Sequence, residues 1–221
     1  MLGSPQMPQK DDIQSVLITS AAARILRPFG LTQKGRSHTW IADQGWWLIV
    51  VEFQPSGTYL NVGCMWLWRV KPYFSFDVFQ GFHKFSSGLQ FGDVAEQLAT
   101  SAREKVIDYR RHFPTIRQVS DYYAENAPTM FWSYFNAAVA HLLSGRLELG
   151  SNFMSKCLPS KRDDLRWLIE ARQDANMLAS MMDQPEKFRG AIDGRVRETR
   201  RLLNLSQLPQ VDFGYDPVVV R

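Results

Sequence analysis

The spacing of apolar residues changes along the chain from helical to alternating and back to helical. Near the N-terminus an apolar stripe at helical spacing comprises Ile18, Ala22, Ile25, Leu26 and Phe29. Gly30 follows as a typical helix stop, and Pro28 indicates that the last turn is irregular. The pattern predicts one amphipathic helix before any strand.

Three runs rich in aromatic and β-branched residues come next, and they span 31–42, 46–54 and 58–70. They are separated by the turns Asp43-Gln44-Gly45 and Pro55-Ser56-Gly57. Three-residue turns with glycine between such runs are typical of consecutive hairpins. The connections are too short for parallel crossovers, so the pattern predicts an antiparallel meander. The aromatic-rich stretch 71–92 allows a fourth strand.

From Asp93 onward the apolar spacing is helical. The predicted helices span 93–112, 115–126, 129–144, 147–158, 162–182 and 185–203. The chain is therefore expected to be α+β, with an N-terminal helix packed on an antiparallel meander sheet, followed by a C-terminal helical bundle. The predicted domains are 1–112, the sheet domain, and 113–221, the helical domain with an extended tail.

The turn lengths predict a strand register in which Arg36 lies opposite Glu52. Alternation then gives the sheet two faces. One is apolar and is expected to pack on the first helix; it carries Ile41, Trp47, Ile49, Val51, Phe53, Tyr59, Met65 and Leu67. The other is mixed, with Trp46, Trp66 and Trp68 on it. Its polar side chains and one further tryptophan form the candidate binding site, which comprises Lys34, Arg36, His38, Trp40, Glu52 and Gln54.

Two interpretations of the mixed face remain open. Tryptophan and arginine are enriched at binding hot spots, which favours a partner. Large exposed apolar patches are uncommon on monomers, which favours a covering layer over Trp46, Trp66 and Trp68. We expect the tryptophan end to be core and the polar end to be the more open one.

Composition and charge limit the kinds of partner, metal site and cellular location to expect. The formal charge of +4 and the pI of about 9.1 permit an anionic partner without requiring one. Only Cys64 and Cys157 are present, so neither a disulfide framework nor a structural zinc site is expected. The longest apolar run, Trp46 to Val51, is far too short to span a bilayer, and the N-terminus lacks a signal-peptide core. We expect a cytoplasmic protein with no membrane partner.

Catalytic motifs are missing from the sequence. It contains no nucleophile elbow, no phosphate-binding loop and no histidine pair with metal spacing. Cys64 lies in an apolar strand, where burial would raise the pKa of its thiol. His38 and Glu52 could act as an acid–base pair if they line one pocket. We expect no metal, no cofactor and no catalytic residue beyond that pair.

A basic segment occupies the last predicted helix and contains Arg195, Arg197, Arg200 and Arg201. Positive stripes of this kind can bind phosphates. Acidic residues lie nearby in the sequence, so the segment could equally be a charged helix face that is exposed to solvent.

Short motifs in the first half carry a resemblance to a known family. They are the residues Gly30, Lys34, Gly35, Arg36, Trp40, Gln54, Asn61 and Gly63, spread over roughly 12–112. This order resembles an uncharacterised bacterial domain-of-unknown-function family. Leu31 stands where that family would have phenylalanine. The resemblance implies a small α+β domain and implies no activity.

Three functional hypotheses follow from the sequence. The first is a non-enzymatic protein that binds another protein, with a toxin-neutralising or defence-accessory role. The second is a nucleic-acid-binding protein that uses the basic helix. The third is a small hydrolase or transferase with its site near His38 and Glu52.

Overall fold

The structure, a computed structural model, describes residues 10–54, 59–79, 83–84, 91–158 and 165–214. The predicted turn Pro55-Ser56-Gly57 and the predicted start of a helix at 162 lie outside the described residues.

Helix α1 spans Lys10–Leu26 and continues into a short 3-10 helix, Arg27–Phe29. Gly30 ends it with a φ of 76°, and its N–H donates to the carbonyl of Arg27 at 2.9 Å. This left-handed conformation suits glycine, which has no Cβ. The predicted stop at Gly30 and the irregular turn at Pro28 are both confirmed.

Six strands are present in the part of the chain that the structure describes: β1 (Thr32–Gln33), β2 (Thr39–Asp43), β3 (Trp47–Gln54), β4 (Tyr59–Trp66), β5 (Val78–Phe79) and β6 (His83–Lys84). Their order in the sheet is β1-β2-β3-β4-β5, and β6 pairs with β4. The predicted antiparallel sheet is confirmed. The predicted run 31–42 is a hairpin and not one strand, because Gly35 turns the chain with a φ of 59°.

The predicted register between β2 and β3 is wrong. Thr39 pairs with Glu52, and Trp40 pairs with Val51. The cause is the connection, where Gln44 N–H donates to the carbonyl of Trp47 at 3.0 Å and closes a two-residue loop. The predicted loop had three residues. The register between the two strands therefore differs from the predicted one by an odd number of residues. Every β2 side chain accordingly lies on the opposite face from the predicted one, relative to β3.

This shift changes the predicted faces. Trp40 shares a face with Val51, whereas Glu52 lies on the other face. The Arg27 guanidinium lies 5.8 Å from the Trp40 ring centroid, so the Trp40 face is the one toward the N-terminal helical segment. Val51 is fully buried on that face, as predicted for β3, whereas Ile41 lies on the opposite face.

Seven helices are present among the described residues. After α1 they are α2 (Phe91–His112), α3 (Ile116–Glu125), α4 (Phe131–Leu143), α5 (Leu147–Ser155), α6 (Arg166–Ala179) and α7 (Pro185–Leu202). The predicted α+β order of an N-terminal helix, an antiparallel sheet and then helices is confirmed. None of the helices in the described segments combines the length and apolarity needed to cross a bilayer.

The chain divides into two compact units. The first unit comprises residues 1–65 and 74–109, and the second comprises 66–73 and 110–221. The division between helices falls close to the predicted boundary after residue 112. The segment 66–73 was not predicted to separate from the sheet residues around it.

Packing in the second unit centres on the hairpin of α4 and α5. Gly145 turns the chain between them with a φ of 79°. Gly150 of α5 lies directly against Leu142 of α4, with no room for a Cβ: an ideal one would lie 2.5 Å from Leu142 Cγ. Small residues on α4, including Ala138, are fully buried, which lets the neighbouring helices approach closely.

Candidate functional site

The six residues of the predicted sheet site do not come together on one face. Arg36 lies exposed in the connection between β1 and β2, and Trp40 is fully buried. Lys34 lies in the same connection, and its Nζ is 5.7 Å from the Phe74 ring centroid. Gln54 is exposed at the end of β3. The predicted cross-strand pair of Arg36 with Glu52 is replaced by the pairing of Thr39 with Glu52.

The predicted acid–base pair does not form either. His38 Nε2 lies 2.5 Å from Ser15 Oγ of α1. Glu52 accepts a hydrogen bond from Asn61 Nδ2 at 3.0 Å. The main chain of His38 pairs with Phe53, so the His38 side chain lies on the face away from Glu52. The geometry that motivated a hydrolase or transferase site at these two residues is therefore not present.

The three tryptophans of the mixed face are buried, as expected. Trp46 is 2% exposed, and Trp66 and Trp68 are fully buried. Trp66 donates from Nε1 to Tyr123 Oη at 2.9 Å, and Trp68 donates from Nε1 to Asn136 Oδ1 at 2.9 Å. The two indoles stack on each other with centroids 5.4 Å apart. Both therefore belong to the core of the second unit, and neither forms an exposed binding face.

The basic helix α7 does not present an open stripe of cations. Arg195 is bidentate to Asp174, with bonds of 2.6 and 2.5 Å. Arg200 is buried and donates to the main-chain carbonyl of Ser206. The other two arginines pair on the helix itself, Arg197 with Asp193 and Arg201 with Glu198. The predicted phosphate-binding stripe is thus divided between structural contacts and local ion pairs.

Neither cysteine is placed for nucleophilic chemistry. Burial raises the pKa of the Cys64 thiol well above its ordinary value, and nearby Asp77 raises it further. Burial raises the pKa of the Cys157 thiol to about 12. The predicted rise for Cys64 is confirmed, and both thiols stay protonated at neutral pH. Among the described residues, no group of three or more His, Cys, Asp or Glu could hold a metal ion.

The second unit contains an open cleft that the sequence did not indicate. Its volume is about 540 Å³. We call it the aromatic cleft, and its lining residues are Arg69, Val70, Tyr73, Trp132, Trp167, Glu170, Ala171 and Asp174. Three segments build it: the stretch after β4, the first turn of α4 and the part of α6 from Trp167 to Asp174.

Two nearly parallel indoles form the apolar part of the aromatic cleft. The Trp132 and Trp167 ring centroids are 6.4 Å apart, with an angle of 26° between the planes. Phe131 fixes both rings from the side, edge-on to each. Trp167 is 49% exposed and Tyr73 is 55% exposed. The cleft therefore offers aromatic faces to solvent.

A cation is stacked on one of these indoles. The Arg69 guanidinium carbon lies 3.8 Å from the Trp132 ring centroid. This is van der Waals contact between two planar groups, and the indole face attracts the positive charge. The stack holds the Arg69 side chain at the edge of the aromatic cleft.

The two carboxylates of the aromatic cleft are held by arginines of the same chain. Asp174 is bidentate to Arg195, whose Nε also donates to the carbonyl of Trp68 at 2.8 Å. Glu170 pairs with Arg166 one turn earlier on α6, at 2.9 Å, and both side chains are exposed. The first pair is rigid and partly buried. The second is an exposed pair, which solvent screens, so it contributes little to stability.

Apolar periodicity did not indicate this site, because both tryptophans follow a buried pattern. Trp167 has the spacing of Ala171 and Ala175, which are buried on α6. Trp132 likewise has the spacing of Phe135 and other buried residues of α4. Periodicity alone would assign both rings to the core. In the structure they line a cleft instead, and each stands in the first turn of its helix.

Comparisons of this chain with protein-family models, with curated proteins and with solved structures give no match. The resemblance of residues 12–112 to an uncharacterised bacterial family accordingly stays a prediction.

Proposed function

We propose that this protein is a non-enzymatic binding protein, and that its second unit binds another protein at the aromatic cleft. The observation that carries the proposal is the pair of accessible indoles, Trp132 and Trp167, beside a stacked arginine. Tryptophan, tyrosine and arginine are the residue types that dominate protein-binding hot spots. The role in toxin neutralisation or defence is one form that such binding could take.

The shape of the aromatic cleft suits a side chain of a partner protein. A volume of about 540 Å³ is in the range of small-molecule pockets, but this cleft is open along one side. The open side favours a partner that covers an extended surface over a ligand that is enclosed.

We propose that the protein is cytoplasmic. Cys64 and Cys157 are both unpaired in the structure. Thiols persist unpaired in a reducing compartment, and this supports the placement.

The test is a quantitative pull-down with the tagged full chain from a lysate of the source organism. We expect Trp167→Ala to reduce the recovery of the specific partner by about tenfold or more, because truncating a central aromatic removes a large share of binding energy. Each recovered protein would be quantified by mass spectrometry against the wild type.

Met177→Ala is the matched control. Met177 lies on the same helix and is 46% exposed, close to the 49% of Trp167. It does not line the aromatic cleft. A recovered set that is identical for the wild type and Trp167→Ala would remove the proposal, and so would equal losses in both variants.

A further inference from the structure

We propose that the partner segment bound at the aromatic cleft is uncharged and rich in proline, in the extended polyproline II conformation. Its proline rings pack on the exposed aromatic rings, and its main-chain carbonyls accept hydrogen bonds from the indoles of Trp132 and Trp167 and from the phenol of Tyr73. This inference rests on the proposed function, because it names the chemistry of the segment that the same site binds.

The hydrogen-bond donors of the aromatic cleft are the first step. Trp132 and Trp167 each have an indole N–H, and Tyr73 has a phenol O–H. None of these three groups has a hydrogen-bond partner among the described residues. A ligand that covers such a donor must offer it an acceptor, because a donor that is left unpaired weakens binding. The aromatic rings therefore select a ligand with several acceptors.

The acceptors of the aromatic cleft are the second step. Asp174 accepts from Arg195 with both of its carboxylate oxygens. Glu170 accepts from Arg166 Nε at 2.9 Å. The acceptor side chains of the lining are thus engaged within the chain, so a ligand gains most if it brings few donors of its own. A proline residue has this property, because its main chain has a carbonyl and no N–H.

The charge of the aromatic cleft is the third step. Its two carboxylates pair with Arg166 and Arg195. The Arg69 guanidinium stacks on Trp132 and has a further interaction within the chain. Every charged side chain of the described lining therefore has a partner already. A charged segment would lose hydration in the cleft and gain no counter-charge, so the segment that complements it is uncharged.

The shape of the aromatic cleft is the fourth step. It is open along one side, and Trp167 and Tyr73 are about half exposed beside that opening. A polyproline II helix has no internal hydrogen bonds, so its carbonyls are available to a protein surface. Such a segment is already extended and stiff, which lowers the entropy cost of binding. Docking of proline-rich segments on aromatic-lined grooves is a general mode of peptide recognition.

Two other classes of ligand that stack on aromatic rings fit these observations less well. Each hydroxyl of an oligosaccharide is a donor as well as an acceptor, and the side-chain acceptors of the described lining are engaged by arginines. Single-stranded nucleic acid requires cations along its phosphates, and the Arg69 side chain already has partners. Both classes enter the experiment as comparison ligands.

The experiment measures binding of a labelled peptide to the full chain by fluorescence anisotropy. The probe is a capped, uncharged ten-residue peptide in which two of every three residues are proline. The comparison peptide has alanine at every proline position, which restores the main-chain N–H groups and removes the rings. We expect a Kd below about 1 mM for the proline peptide, and at least about tenfold weaker binding of the alanine peptide. An unlabelled neutral hexasaccharide and an oligonucleotide of mixed sequence are tested as competitors and should displace the probe poorly.

Two variants test the assigned donors. Trp167→Phe keeps an aromatic ring and loses the indole N–H, and Tyr73→Phe loses only the phenol O–H. Each should weaken binding of the proline peptide by about fivefold, the effect of one lost hydrogen bond. Both side chains are about half exposed, so both variants should fold, and circular dichroism checks this.

Tyr134→Phe is the matched control for Tyr73→Phe. It removes a phenol O–H from the same unit, at a residue of α4 that stacks on Phe153 and does not line the aromatic cleft. The affinity for the proline peptide should stay within about twofold of the wild type.

Several results would overturn the inference. They are a Kd for the proline peptide above about 1 mM, equal binding of the proline and alanine peptides, and tighter binding of the hexasaccharide or the oligonucleotide. Wild-type affinity in both Trp167→Phe and Tyr73→Phe would also do so, as would equal losses in Tyr73→Phe and Tyr134→Phe. Failure here leaves the proposed function standing if Trp167→Ala still abolishes partner recovery. Failure of the Trp167→Ala experiment removes both.

Discussion

At the residue scale, one buried histidine makes the free energy of unfolding depend on pH. His141 is fully buried in α4, and its ring stacks on Phe153 with centroids 5.5 Å apart. Its Nδ1 lies 2.7 Å from Ser120 Oγ, whereas Nε2 has no hydrogen-bond partner among the described residues. Burial, and to a smaller extent the charge of Arg146, together lower the pKa of His141 to about 4. The ring is therefore neutral in the folded protein at pH 7.

We expect the free energy of unfolding to decrease as the pH falls from about 6.5 to about 4. The pKa of His141 is lower in the folded chain than in the unfolded one, so in this interval the unfolded state binds the proton more readily. The contribution is fully present above the unfolded pKa of about 6.5. One pKa unit corresponds to about 1.4 kcal/mol, so the loss should be roughly 2–3 kcal/mol.

Urea unfolding at several pH values measures this decrease. His141→Gln, which cannot take up a proton in this range, is the comparison. Its stability at pH 7 should be lower, but its profile from pH 7 to 4 should be flatter by the same roughly 2–3 kcal/mol. Parallel profiles for the two proteins would show that other groups cause the pH dependence.

A second residue-scale prediction separates structural from exposed arginines on α7. The Arg195 side chain is 13% exposed and ties Asp174 to the carbonyl of Trp68. Arg195→Met should lower the free energy of unfolding by about 3 kcal/mol, because it leaves a partly buried carboxylate unpaired. Arg201→Met removes an exposed pair and should change the free energy of unfolding far less. Denaturant melts of the two variants measure the difference, and equal costs would contradict the assigned roles.

At the element scale, the close approach of β4 and β5 depends on Gly63. A Cβ at this position would lie 2.5 Å from the carbonyl oxygen of Val78 and 2.7 Å from Phe76 Cδ1. The first of these atoms belongs to the main chain of β5, so it cannot move aside cheaply. Gly63→Ala should therefore lower the free energy of unfolding by about 1–3 kcal/mol.

Gly194 is the matched control for that substitution. It lies within α7, and nothing comes within 4 Å of a Cβ added there. Gly194→Ala should raise the free energy of unfolding by about 0.5–1 kcal/mol, because alanine is the better helix former. Thermal unfolding of both variants checks the pair. A destabilised Gly194→Ala together with an unaffected Gly63→Ala would show that the glycines have the opposite roles.

The sequence predicted the elements better than their connections. Apolar periodicity predicted α1, the antiparallel sheet and the six later helices, because it reflects which side of each element is buried. The register failed at Gly45, whose φ of 86° places the loop at Gly45 and Trp46. Trp46 is a good strand residue, and local preference assigned it to β3. The loop between β2 and β3 is one residue shorter than predicted. The register changes as a result, and His38 and Glu52 lie on opposite faces of the sheet.

At the scale of the whole molecule, the site was harder to predict than the fold. The α+β order follows from patterns within short windows of sequence. The aromatic cleft joins Arg69, Trp132 and Trp167, which are far apart in the chain. The local sequence pattern predicts each of them to be an ordinary buried or exposed residue. Their assembly depends on how helices and the segment 66–73 pack in the second unit, and no local pattern encodes that packing.

The composition of the second unit leads to a prediction about fragments. Trp66 and Trp68 precede the helices by many residues, yet they bond to Tyr123 and Asn136. A fragment of residues 110–221 lacks both indoles, so it leaves a stacked pair of rings missing from its core. Large buried aromatics contribute several kcal/mol each, which is comparable to the net stability of a domain.

The fragment 110–221 should therefore lack cooperative unfolding, although the sequence pattern would suggest that the helical half is a separate domain. Circular dichroism should show helix without a sharp thermal transition, and amide proton spectra should show poor dispersion. The full chain with Trp68→Phe is the control, because it keeps an aromatic ring while it loses the hydrogen bond to Asn136 and part of the buried ring volume; it should retain a cooperative transition at a reduced midpoint. A cooperative transition in the fragment, at the midpoint of the full chain, would show that residues 66–73 are dispensable for the second unit.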